Sequence, residues 1–82
     1  ISENTIINTM ASIDHDCIIG EHCHVAPGVV MSGNVLLGDR TFVGAGSVIA
    51  QGINIGNDVI IASGKSVFKD IVHGESYIKN HI

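Results

Sequence analysis

An aliphatic residue recurs at every sixth position from the first residue onward: Ile1, Ile7, Ile13, Ile19, Val25, Met31, Leu37, Val43, Ile49, Ile55, Ile61 and Val67. These twelve hexads account for residues 1–72 without a break. An amphipathic helix needs apolar residues at i, i+3, i+4 and i+7, and that spacing is not sustained anywhere in the chain. A short fixed period points instead to a solenoid, in which each unit buries its apolar residue by stacking on its neighbours.

The other hexad positions agree. The residue after each aliphatic is small or short and polar in eleven of twelve hexads, Phe68 being the exception. Three places after the aliphatic stand Asn4, Met10, Asp16, His22, Gly28, Asn34, Arg40, Gly46, Gly52, Asp58, Gly64 and Asp70. Nine of the twelve are Gly, Asn or Asp, which tolerate a left-handed backbone. Each hexad therefore predicts a short strand followed by a turn, and the whole predicts an all-β parallel β-helix of hexapeptide repeats.

In the hexapeptide solenoids that this pattern resembles, three hexads make one triangular coil, so residues 18 apart stack. Four coils are expected, 1–18, 19–36, 37–54 and 55–72, with residues 73–82 as a C-terminal tail. The left-handed sense is implied by the resemblance, since the usual right-handed crossover preference would predict the opposite. Stacking by 18 gives three edges. One carries Glu3, Glu21, Asp39 and Asn57 beside Asn4, His22, Arg40 and Asp58, a charged and solvated edge. The second carries Thr9, Pro27, Ala45 and Ser63 beside Met10, Gly28, Gly46 and Gly64, smooth beyond its first coil. The third carries His15, Gly33, Gln51 and Lys69 beside Asp16, Asn34, Gly52 and Asp70.

The outward position that closes each hexad is apolar in eight of twelve cases, including Ile6, Phe42 and Ile60 in one column. Contiguous exposed apolar columns mark interfaces. An 82-residue chain buries a modest core alone, so a homotrimer is expected.

Charge and length exclude several classes. With a net charge of −4 and four basic residues, no basic stripe exists to neutralise nucleic acid. No apolar run approaches the ~20 residues that span a bilayer, and no signal peptide is recognisable, so no membrane partner is expected. Cys17 and Cys23 are the only thiols, too few for a disulfide framework, and they suggest a reducing, cytoplasmic setting. Both fall at small inward positions and read as buried, inert thiols. The chain begins at Ile1 without an initiator Met, as expected of a processed or excised portion of something longer.

The densest concentration of possible chemistry is Ile13-Asp14-His15-Asp16-Cys17-Ile18, a histidine between two carboxylates. A neutral imidazole takes a proton near pH 7, and a flanking carboxylate stabilises the imidazolium that forms. Together with Ile6-Ile7-Asn8-Thr9, Ile19-Gly20, His24-Val25-Ala26-Pro27-Gly28, Ser32-Gly33-Asn34-Val35 and Val43-Gly44-Ala45-Gly46-Ser47-Val48, this stretch resembles the C-terminal domain of bacterial hexapeptide-repeat sugar acetyltransferases. The closest group is the sialic-acid O-acetyltransferase family, which includes UDP-4-amino-sugar N-acetyltransferases. The resemblance covers nearly all of residues 6–72. It implies acetyl-CoA as co-substrate, a sugar or sugar nucleotide as acceptor, no metal, and a cofactor lying between adjacent chains of a trimer. It assigns His15 as general base, Asp16 as the acid that raises its basicity, and His24, Ala45 and Ser63 as cofactor contacts. Gly33, stacked under His15, would offer an N–H to the thioester oxygen.

Two other readings stay open. Hexapeptide solenoids include zinc-dependent γ-type carbonic anhydrases, and an intersubunit site of three histidines is compatible with His15, His22 and His24. A non-catalytic trimeric interaction module is the other. Family members usually carry an N-terminal sugar-nucleotide domain, which residues 1–82 do not include, and His73-Gly74-Glu75-Ser76-Tyr77-Ile78 stands where a Gly-x-Pro-Ala loop is expected.

Overall fold

The computed structural model describes residues 4–74 and the backbone of residues 76 and 77. Ile1 of the first hexad, Glu3 of the charged edge, Glu75 and the end of the tail at 78–82 lie outside the described residues.

Each hexad from Ile7 to Val67 contributes a two-residue strand, and one more strand lies beyond them. In chain order these are β1 (Ile6–Ile7), β2 (Ser12–Ile13), β3 (Ile18–Ile19), β4 (His24–Val25), β5 (Val30–Met31), β6 (Leu36–Leu37), β7 (Phe42–Val43), β8 (Val48–Ile49), β9 (Asn54–Ile55), β10 (Ile60–Ile61), β11 (Ser66–Val67) and β12 (Ser76–Tyr77). They assemble into three parallel faces: β1-β4-β7-β10-β12, β2-β5-β8-β11 and β3-β6-β9. The register is the expected one, with Ile7 paired to Val25, Ile13 to Met31 and Ile19 to Leu37. The architecture is thus the left-handed parallel β-helix of about four coils. Two residues suffice per strand because hydrogen bonds run between coils; the turns supply the bends.

The inward aliphatics from Ile19 to Val67 are buried, while Ile7 and Ile13 are only partly so because no described coil stacks beneath them. Cys23 is buried as expected, but Cys17, on that same open first coil, is half-buried. The outward apolar residues are exposed, Ile6 at 53%, Phe42 at 40% and Ile60 at 50%.

The left-handed corner is imposed on whatever residue falls there. Met10, His22 and Arg40 adopt φ of 68°, 55° and 54° beside the Gly, Asn and Asp corners, at a cost of roughly 1–2 kcal/mol each. A second device secures the corners. The hydroxyl or thiol of residue i donates to the carbonyl of residue i+15: Cys17 to Ser32 at 3.2 Å, Cys23 to Gly38 at 2.8 Å, Thr41 to Gly56 at 2.8 Å and Ser47 to Ala62 at 2.9 Å. The hydroxyls of Thr41 and Ser47 also accept the N–H of the residue stacked above, Val59 at 3.3 Å and Lys65 at 3.2 Å. Backbone groups at these bends are thereby satisfied.

The fourth coil departs from the expected 18-residue stack. β11 still pairs with β8 in register, but the next corner is two residues short: Ile71 bridges to Ile55 and Ser76 pairs with Ile60, steps of 16. Asp70 is not a left-handed corner, and the next residue with a positive φ is Gly74 at 77°, which continues the charged edge of Arg40 and Asp58 through its N–H to the Asn57 carbonyl at 2.9 Å. Lys69 and Asp70 consequently do not continue the column of Gln51 and Gly52, and the Asp70 carboxylate instead accepts the Asn54 N–H at 2.8 Å. Phe68, 71% exposed where the other hexads carry a small residue, marks the break in the sequence. Strand pairing also runs past residue 72, through Ser76–Tyr77 onto β10.

Candidate functional site

His15 stands on the corner between the second and third faces, just after β2. Its backbone N–H donates to Asp14 Oδ1 at 2.7 Å, and its Nδ1 lies 2.9 Å from the same oxygen. A carboxylate only accepts, so the ring proton sits on Nδ1 and the lone pair of Nε2 is left outward. The hydrogen bond and then the charge of Asp14 raise the His15 pKa above its ordinary value of 6.5, Asp16 adding the smallest Coulombic contribution. Reciprocally, the hydrogen bonds from His15 hold the Asp14 carboxyl below its ordinary range. The carboxylate that reaches the ring is therefore Asp14. Asp16, to which the resemblance gave that part, occupies the left-handed corner at φ 58° and makes no hydrogen bond to the imidazole. The reason is geometric: Asp14 Oδ1 takes both the backbone N–H and the ring Nδ1 of His15, whereas the backbone has already entered the left-handed region at Asp16.

Gly33 lies directly against the His15 ring. A Cβ there would meet Cε1 at 2.9 Å and Nε2 at 3.0 Å, so only glycine lets the imidazole rest on the backbone. Gly33 is buried although His15 is exposed, and among the described residues its N–H makes no hydrogen bond.

His24 sits elsewhere, on the outward side of the first face in β4. Its Nε2 is 3.0 Å from Asn8 Nδ2, and its ring stacks on Phe42 with centroids 5.2 Å apart at 30°. Ala45 and Ser63 are exposed on the adjoining corner between the first and second faces, where Gly28, Gly46 and Gly64 hold φ of 75°, 72° and 71°. That corner carries no bulk above its first coil: a Cβ at Gly46 or Gly64 would meet nothing within 4 Å. One chain thus brings together His15, Asp14 and Gly33 on one edge, and sets His24 and Asn8 on the first face, with Ala45 and Ser63 on the corner that adjoins that face. The first face lies opposite the His15 corner in the prism, so the two groups do not meet within a chain.

Sequence reasoning missed Asp14, Asn8 and Phe42 as partners. Asn8 and His24 are 16 apart and meet only because one turn of the solenoid stacks them on adjacent coils of the first face. The remaining titratable clusters are structural. Arg40 forms a bidentate pair with Asp58 at 2.8 and 3.1 Å along the charged edge, and Asp39, Asn57 and His73 cap successive backbone N–H groups there at 2.7–2.8 Å. Among the described residues no three His, Cys, Asp or Glu side chains converge as metal ligands.

Comparison with known proteins matches this geometry. The family model described as bacterial transferase hexapeptide (six repeats) matches residues 1–33 and 34–69. The acetyltransferase domain of PglB from Neisseria gonorrhoeae FA1090 superposes with a TM-score of 0.90 at 33% identity, covering 93% of this chain and 37% of that one. It has also been solved in complex with acetyl coenzyme A. PerB from Caulobacter crescentus, in complex with CoA and GDP-perosamine, gives 0.89 at 39% identity, over 92% of this chain and 36% of that one. The present chain spans somewhat over a third of the length of these proteins. The two matched segments run through the hexad repeat from residue 1 to 69, and the chain belongs to the bacterial transferase hexapeptide family.

Proposed function

We propose that the chain is the acyl-transfer domain of an acetyl-CoA-dependent sugar acetyltransferase, moving an acetyl group to an amino or hydroxyl group of a sugar or sugar nucleotide. The observation that carries this reading is the His15 imidazole, tied at Nδ1 to Asp14 and resting on the bare backbone of Gly33 with Nε2 open. The solved relatives holding acetyl-CoA, or CoA with GDP-perosamine, support it.

His15 Nε2 takes the proton from the acceptor nitrogen or oxygen as that atom attacks, and Asp14 stabilises the imidazolium. The Gly33 N–H, without a hydrogen bond among the described residues, serves in this reading to stabilise negative charge on the carbonyl oxygen under attack. Acetyl-CoA supplies the activated acyl group: its carbon–sulfur bond breaks as the new bond to the acceptor forms. The proton held by His15 then leaves with the thiol, and no acyl-enzyme is involved. The smooth corner of Ala45 and Ser63 fits a long pantetheine arm, because short side chains and glycines let it approach the backbone. That corner and His24 lie away from His15 within one chain, so the site is completed by a neighbouring copy in a homotrimer, across the exposed apolar columns.

Calorimetric titration of acetyl-CoA into the protein, sedimentation equilibrium, and His15→Ala assayed for acetyl transfer to a nucleotide-linked amino sugar test the reading together. Binding, a trimer and an inactive His15→Ala variant are expected. Absence of binding favours a purely structural module, and full activity in the variant removes the general-base role.

A further inference from the structure

We propose that Asn8 is a positioning residue that locks His24 in one tautomer, so that the two edges carry histidines wired for opposite tasks. His15 accepts a proton at Nε2, and His24 donates a hydrogen bond from Nδ1. The assignment is forced atom by atom. The Val25 carbonyl oxygen accepts the backbone N–H of Asn8 at 2.9 Å and, from the side chain, Asn8 Nδ2 at 3.2 Å. A carbonyl oxygen takes only donors, so the amide nitrogen of Asn8 must face it; the flipped amide would set two oxygens against each other. The remaining N–H of that nitrogen faces His24 Nε2 at 3.0 Å. Nε2 must therefore offer a lone pair, and the ring hydrogen sits on Nδ1.

The ring is held from its other neighbour as well. Phe42, stacked on it from the next coil, restricts its rotation, and Asn8 fixes which nitrogen meets the first coil. Nδ1 makes no hydrogen bond among the described residues, and His24 is partly exposed on the first face, which the Ala45 and Ser63 corner adjoins. A neutral N–H donor on an outward strand suits an uncharged carbonyl oxygen, such as an amide or the thioester of a pantetheine arm. This identification of the ligand rests on the acyl-CoA reading above, whereas the tautomer assignment does not.

Long-range proton–nitrogen NMR of ring-labelled histidines, recorded on the ligand-free protein, tests the lock independently of any activity. The expected result is His24 protonated at Nδ1 and bare at Nε2. Asn8→Asp presents only acceptor oxygens and should move the proton to Nε2; Asn8→Ala, which adds no charge, should give a mixture of tautomers. In the assay, Asn8→Asp should raise KM for acetyl-CoA about tenfold, the worth of roughly one hydrogen bond, with kcat at saturation largely kept. Wild-type His24 protonated at Nε2 overturns the proposal, as does an unchanged tautomer in folded Asn8→Asp. A wild-type Nδ1–H signature in a protein without transferase activity would leave the lock standing and refute only the acyl-CoA reading.

Discussion

Replacing Gly33 by alanine should silence the His15 site while leaving the solenoid folded. Gly33 has no left-handed φ, so its backbone accepts a side chain; the conflict is with the imidazole alone, at 2.9 Å from Cε1, 3.0 Å from Nε2 and 3.4 Å from Nδ1. Ordinary carbon contacts begin near ~3.5 Å, so the ring must retreat by about half an ångström or more. The side chain of His15 is 66% exposed and yields into solvent. The melting temperature should accordingly change by no more than about 4 °C, the effect of roughly half a kcal/mol in a domain of this size. Catalysis is far less forgiving, since misplacement of a reacting group by about 1 Å costs on the order of 100-fold, or ~2.7 kcal/mol of barrier. The contrasting variant is Gly44→Ala, whose Cβ would fall 2.5 Å from Ser63 N, 2.7 Å from Ala62 C and 2.8 Å from Ile61 O. All of those are backbone atoms with nowhere to go, and a loss of about 3 kcal/mol or more is expected. Thiol release from acetyl-CoA, followed with a colorimetric reagent, and thermal melts of both variants decide the matter. A natively melting Gly33→Ala enzyme with wild-type kcat/KM would refute the reasoning. So would a Gly33→Ala protein that melts as low as Gly44→Ala, because the imidazole would then not be the partner that gives way.

Three further outcomes are expected. Asp14→Asn should shift the acid limb of the kcat/KM profile to lower pH, since Asp14 raises the His15 pKa above 6.5 and the base works only when neutral; a larger shift in Asp16→Asn would contradict the observed pairing. Thr41→Val removes a buried hydroxyl that donates to Gly56 O at 2.8 Å and accepts from Val59 N at 3.3 Å. It should cost about 1–3 kcal/mol in urea denaturation, and a change below about 0.5 kcal/mol would show that the corner bond contributes little. Ala45→Glu, on the exposed smooth corner, should raise KM for acetyl-CoA about tenfold without altering the melt, and an unchanged KM would remove that corner from the cofactor path.

The fold is legible in the sequence because its rule is local and periodic. One inward aliphatic every sixth residue and a left-handed corner three places later dictate the coil, and even Met10, His22 and Arg40 submit to it. The shortened corner after β11 is not legible in the same way, although Phe68 signals it. The hexad count runs unbroken to Val67, and a two-residue loss shows only in the pairing of Ile71 and Ser76 beyond it. At the site, sequence places His15 above Gly33 through the 18-residue step, which the ring contact bears out. The carboxylate contact goes to Asp14 rather than Asp16 because adjacency is symmetrical in a sequence and not at a bend. The role of Asn8 is hidden for a different reason, since hydrogen-bond direction and tautomer depend on which atom faces the Val25 carbonyl.

The two-residue shortening after β11 also decides which residues feel a change in the last coil. Ile71 stands on Ile55 and Ser76 on Ile60, steps of 16 residues rather than 18. Counting in eighteens would set Ile71 against Ile53, so a substitution at Ile71 bears on a different neighbour from the one the hexad rule names.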